Sequence, residues 1–115
     1  MKDYEVWKKQ YPDKANVLAA CAAAIRRVAP DAEVILYGSV ARGEEREDSD
    51  VDLLVLVPQE VTPALQRIVR GQIYDIALEI DQVITAIVRQ RSLWNSEPWN
   101  YTPLFRAIEK EGVRL

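Results

Sequence analysis

The stretch that most constrains this chain is Val51 to Val57, VDLLVLV, apolar at every position except Asp52. A strand with one wet face alternates apolar and polar residues, so a near-continuous apolar run is the pattern of a strand buried on both faces. The chain is therefore expected to place this strand centrally in a sheet and to pack helices against it. At its head stand Asp50 and Asp52. Successive strand side chains point to opposite faces, so the two carboxylates project from the same face, about 6 to 7 Å apart along the backbone. Ionised carboxylates at the end of a buried strand are costly without a partner cation, and two of them make a chelating pair for a hard ion.

Mg²⁺ prefers oxygen ligands in octahedral array, and it commonly takes one or two protein carboxylates while substrate phosphates and water complete its shell. The phosphate side is supplied by Gly38-Ser39, which follow a second apolar run, Glu33 to Tyr37. A strand that breaks at glycine and turns into a short helix near Ser39 aims free backbone N–H groups and a hydroxyl at an anion. Arg42, about one turn further on, is placed to add positive charge. An isolated Asp-X-Asp has a plainer explanation, in which Ser49-Asp50 caps a turn and Asp52 pairs with an arginine. The combination with Gly38-Ser39 favours the metal site.

Gly-Ser, ten intervening residues and Asp-X-Asp, within LYGSVARGEEREDSDVDLLVLV, resemble the signature of the DNA polymerase beta-like nucleotidyltransferase superfamily, and look like its minimal bacterial branch. The resemblance implies that Gly38 and Ser39 hold a nucleoside triphosphate, that Asp50 and Asp52 bind the catalytic divalent metals, Mg²⁺ or Mn²⁺, and that the fold is the family's. Several minimal members are antitoxins that transfer AMP to a HEPN-type partner toxin. Active members commonly carry a third carboxylate on a neighbouring strand, which binds metal and takes the proton from the attacking hydroxyl. The matching strand here, VITAIV at 83–88, has no acid. Asp81, just before it, is the nearest candidate by sequence, while Asp75 and Glu79 read as exposed residues flanking a helix stripe.

A chain of 115 residues has the size of one domain, here spanning 1–115, and is too short for a core plus a dedicated substrate domain. The acceptor must then be held by a second copy, by a partner protein or by a surface of this small fold. Fifteen basic and eighteen acidic residues, a formal charge of −3, are interspersed without a long single-sign block. Nucleic-acid binding leaves a basic footprint, and Arg26-Arg27 with Arg89-Gln90-Arg91 are too small for one, so a nucleic-acid acceptor is disfavoured. The single Cys21 and the absence of histidine argue against a zinc site and an internal disulfide. With no apolar signal core and no run near the ~20 residues that span a bilayer, a cytoplasmic protein without a membrane partner is expected.

Pro12 opens a helix whose apolar positions, Val17 to Ala29, recur at helical spacing, and Thr62-Pro63 and Thr102-Pro103 open two more, the first running to about residue 81 and the second ended by Gly112. Strands are expected at 33–37, 51–57 and 83–88. The stretch Glu44 to Asp48 reads as a charged loop, over the site or merely solvated. Trp94, Trp99 and Tyr101, in a polar loop, either staple that loop to the core, form a contact surface or stack on a base. The expected fold is α+β, a small mixed sheet of three or more strands with helices packed against it. Two functions fit: a metal-dependent enzyme moving AMP from ATP to a protein hydroxyl, or a weak or inactive module that occludes its partner.

Overall fold

Apolar residues at helical spacing form the helix expected after Pro12, and the computed structural model, which describes residues 1–44 and 50–115, places it at Pro12–Val28. Apart from Glu44, the expected charged loop at 44–48 and the Ser49 cap lie outside the described residues. In chain order the elements are α1 (Tyr4–Gln10), α2 (Pro12–Val28), β1 (Glu33–Tyr37), α3 (Gly38–Arg42), β2 (Val51–Val57), α4 (Pro63–Ile80), β3 (Ile84–Gln90), α5 (Arg91–Trp94), a 3-10 turn (Trp99–Tyr101), α6 (Pro103–Glu111) and β4 (Val113–Arg114). The two threonine caps form as the sequence demands. Thr62 Oγ1 accepts from Leu65 N at 3.1 Å and Thr102 Oγ1 from Phe105 N at 3.2 Å, each satisfying one of the donors that a helix start leaves free.

Among the described residues the strands form one mixed sheet in the order β3-β2-β1-β4. β2 runs antiparallel to β1 and parallel to β3. A parallel pair needs a long crossover, and α4 supplies it. β2 is buried on both sides as its sequence requires. Val51, Leu53, Val55 and Val57 pack into the core under α2 and α4, whereas Leu54 and Leu56 join Ile35, Trp94 and Ile108 on the opposite face. No polar or charged residue is buried among those described. β3 is an edge strand whose outward backbone is covered in part by the chain's own arginines: Arg70 Nε donates to Ala86 O at 3.5 Å and Arg89 Nη1 to Val88 O at 2.9 Å, a common way to blunt an edge. No helix of the described residues is long and apolar enough to cross a membrane.

The structure adds elements that the sequence pattern did not announce. α1 is capped by Asp3, whose Oδ1 accepts from Glu5 N at 2.8 Å and Val6 N at 3.2 Å, and it buries Trp7. β4 is two residues long and exists only through its pairing with β1, Leu36 opposite Val113. β3 starts one residue later and ends two later than expected, because Val83 O already accepts from Val51 N at 2.9 Å as the pairing begins and the register with β2 continues to Gln90. Of the three loop aromatics, Trp94 is buried 5.4 Å from the Phe105 ring, while Trp99 and Tyr101 stay exposed.

Cys21 is fully buried in α2, and burial pushes its thiol from 9.0 to about 11. A group whose pKa is raised on folding stabilises fully below its unfolded pKa and loses that contribution as pH climbs through the folded one. Stability should therefore fall by about 2 kcal/mol on this account between pH 9 and 11. Urea unfolding of the parent and of Cys21→Ala across that range checks this, with a steeper loss expected in the parent. Equal losses would show that the thiol is not protected.

Candidate active site

Pairing of the central strands brings three side chains into one row. Tyr37 at the end of β1 lies opposite Asp52, and Asp52 lies opposite Thr85 of β3. All three share the sheet face that carries Leu54 and Leu56, since residues two apart along a strand share a face. The row closes the sheet at the end where β1 finishes and β2 and β3 begin. Asp52 is half-buried there, and Asp50, the residue before β2, is exposed.

The two oxygens of Asp52 meet different neighbours. Oδ1 accepts a hydrogen bond from Thr85 Oγ1 at 2.9 Å. Oδ2 faces Gly38, where an added Cβ would stand only 2.5 Å away. Gly38 also has φ +80, a conformation that L side chains resist. Conformation and space therefore both require glycine at the turn from β1 into α3. Among the described residues no lysine or arginine pairs with Asp50 or Asp52, so among them the arginine-paired alternative for Asp52 does not form.

α3 begins at Gly38 with no side-chain cap among the described residues, beside the half-buried Ser39. Its far end is tightly held. Gly43 takes φ 72 and Glu44 N donates to Ser39 O at 3.0 Å, a glycine-terminated stop. The Ala41 carbonyl accepts from Lys2 Nζ at 2.8 Å and from the Trp7 indole Nε1 at 3.1 Å. The N-terminal segment, to which the sequence pattern gave no role, thus fixes the short helix that carries Ser39. Its signal was present only as an Asp3 cap ahead of a lone tryptophan.

Arg42 is turned to other work. Its guanidinium is bound by Glu44 at 2.9 Å and by Glu111 of α6 at 3.0 Å, so it ties α3 to α6 and reaches a phosphate only by leaving two carboxylates. Asp81 caps α4 in a left-handed conformation, φ 52, with its side chain exposed beside a cavity of about 340 Å³ shared with Tyr74, Leu78 and Val83. Among the described residues no three Asp, Glu, Cys or His side chains gather as a metal group; Asp81 is not brought to Asp50 and Asp52. The site residue that the sequence pattern overlooked is Thr85, the sole polar side chain of VITAIV. Burial raises the Tyr37 phenol's pKa, the Asp52 carboxylate adds to the shift and Arg89 opposes it, which keeps Tyr37 neutral beside the aspartate.

The donors fit a hard divalent cation. Asp50 and Asp52 offer carboxylate oxygens, and the missing side chain at Gly38 leaves room directly against Asp52 Oδ2, where phosphate oxygens on the turn could share the ion.

Comparison with known proteins agrees with this geometry. The terminal uridylyltransferase cid1 of Schizosaccharomyces pombe is 35% identical over an alignment of 72 residues that covers 55% of this chain and 18% of that protein; the chain thus spans less than a fifth of that relative's length. A crystal structure of a toxin-antitoxin with AMP-PNP superposes with a TM-score of 0.57 at 18% identity, covering 82% of this chain and 68% of that one, a likeness of fold. The nucleotidyltransferase domain model matches residues 19–113, from within α2 to β4, and the chain belongs to the nucleotidyltransferase domain family.

Proposed function

We propose that the protein transfers a nucleoside monophosphate, AMP from ATP, to a hydroxyl group on a partner protein, as the antitoxin of a pair whose toxin is of the HEPN type. The observation that carries this reading is the contact between the Gly38 backbone and Asp52, because a triphosphate lying on the turn is then also against the carboxylate. Membership of the nucleotidyltransferase family supports the reaction class. The superposed structure that contains AMP-PNP supports an adenine nucleotide and a protein partner.

Gly38 and Ser39 would receive the outer phosphates through the first amides of α3 and the Ser39 hydroxyl. Asp50 and Asp52 would hold Mg²⁺ or Mn²⁺, which supplies charge neutralisation for the triphosphate and the departing pyrophosphate. In the transfer the acceptor oxygen forms a bond to the α-phosphorus while the bond from that phosphorus to the bridging oxygen breaks. Pyrophosphate leaves with the bonding pair, and the hydroxyl proton passes to solvent or to a neighbouring base. Positioning and electrostatics supply most of the acceleration in such transfers, whereas a general base adds about 10²- to 10⁴-fold. β3 carries no carboxylate, which favours a second reading: a module that keeps the nucleotide site and silences its partner by covering it.

Calorimetry separates a metal site from a structural pair of acids. ATP should bind the parent only with Mg²⁺ or Mn²⁺ present, and the double variant Asp50→Asn, Asp52→Asn should lose that metal-dependent affinity; unchanged affinity rejects the site. Gly38→Val should abolish nucleotide binding while much of the fold survives, since the new side chain collides with Asp52 in a backbone conformation that valine resists. Full affinity in that variant would mean that phosphate does not sit on the turn.

Asp81 tests the base. With its carboxylate on the exposed cap of α4, Asp81→Asn should change AMP transfer to a neighbouring-gene partner by less than about threefold, well short of the loss that removing a general base brings. A fall of about 10² or more would restore Asp81 as the third carboxylate. A parent that binds metal and ATP yet labels no partner would leave the covering module as the function.

A further inference from the structure

We infer that Thr85 is a positioning residue of the metal site: its hydroxyl pins one oxygen of Asp52 so that the other faces the Gly38 turn. The inference rests on the metal-site reading above and assigns a role to a residue that the family signature does not contain. Its foundation is the division of the Asp52 carboxylate, Oδ1 bonded to Thr85 Oγ1 at 2.9 Å and Oδ2 directed at the space that a Cβ on Gly38 would fill.

An aspartate at the end of a strand is free to rotate its carboxyl group unless something holds it, since this terminal torsion is broad. A held carboxylate presents its free oxygen to a ligand without losing that freedom on binding. The chemistry of the holder matters. A lysine or arginine opposite Asp52 would fix it equally well but would neutralise the charge that attracts a cation, whereas a threonine hydroxyl donates one hydrogen bond and leaves the charge intact. Partners of this kind orient ligating carboxylates, and their loss typically costs about 10- to 100-fold in metal affinity.

The position within β3 supports a site role over a packing role. Thr85 is the sole polar residue in VITAIV and is exposed, so it adds little to the core, and valine would serve the strand as well. Parallel pairing fixes it opposite Asp52, on the row that ends the sheet. Replacing it therefore changes the site while the strand keeps its pairing and its apolar neighbours.

Calorimetric titration of the full chain with Mn²⁺ and ATP tests the role, with thermal unfolding as control. Thr85→Val, nearly isosteric but unable to donate, should weaken metal-dependent ATP binding by about tenfold or more at nearly unchanged Tm. Thr85→Ser, which restores the donor, should bind within about twofold of the parent, a rescue that a purely structural role would not give. Thr85→Asp puts a second carboxylate beside Asp52. Its like charges should lower Tm without metal, and Mn²⁺ should reverse the loss.

Parent-like binding by Thr85→Val, while the double asparagine variant at Asp50 and Asp52 fails to bind, overturns the positioning role and leaves the metal site standing. A Thr85→Asp protein whose Tm ignores Mn²⁺ also overturns it. Parent-like binding by the double asparagine variant removes the metal site itself, and the role of Thr85 falls with it.

Discussion

The close approach of the Gly38 backbone to the Asp52 carboxylate is the contact on which the rest of the site depends, and it is set by strand register. Tyr37 pairs with Asp52 because Ile35 pairs with Leu54 and Glu33 with Leu56, and Ile35, Leu54 and Leu56 face the layer of Trp94 and Ile108. A slip of one residue would reverse every side chain of β2. Asp52 would then enter the core under α2 and α4, where an unpaired charge is prohibitively costly, and Leu53 and Val55 would leave it. The hydrophobic core and the carboxylate therefore select the same register, so the packing that stabilises the sheet also places a charge beside the Gly38 turn.

This coupling explains which parts were legible in the sequence. β2 announced itself by its unbroken apolar run and β1 by its length and its glycine stop, and α2, α4 and α6 were marked by proline and threonine at their starts. Each of these signals is local and needs no knowledge of the rest of the chain. The elements that escaped notice depend on distant partners. β4 is made by β1, and α1 is too short to persist alone; its buried Trp7 lies in the main core and bonds a carbonyl 34 positions away. Gly38, Ser39 and the aspartate pair could be singled out as a candidate site because spacing along one strand and one turn specifies them. Thr85 could not be singled out, because its meaning comes from lying opposite Asp52 in a parallel pair. Asp81 illustrates the converse: proximity in sequence to β3 made it a candidate, but its place as the left-handed cap of α4 is decided by helix termination.

The loop aromatics divide for reasons that bear on what the surface is free to do. Trp94 is a core residue, packed against Phe105. Trp99 lies beneath the Arg89 guanidinium at 5.5 Å, and the Tyr101 hydroxyl donates to Glu97 at 2.8 Å. Both exposed rings thus have local partners, and their number in a short segment needs no external ligand to explain it. They also lie towards the far end of β3, since Arg89 is four residues beyond Thr85 and strands rise about 3.3 Å per residue. A base stacked on Trp99 would sit well away from a triphosphate on the Gly38 turn.

The sheet end that carries Asp52 is bounded on one side by α3 and on the other by the edge strand. Beyond that edge, Tyr74, Leu78 and Val83 are exposed around the cavity that Asp81 borders. Burying the site more deeply would need another layer of chain, and that layer would have to compensate for removing Asp50 and Asp52 from water. Among the described residues the carboxylates stay open to solvent, which avoids this cost but would not by itself exclude water from a phosphate bound there. In the proposed transfer, closure would come with the partner that brings the acceptor hydroxyl, and the same contact would supply both the substrate and the dry environment in which the carboxylates act most strongly.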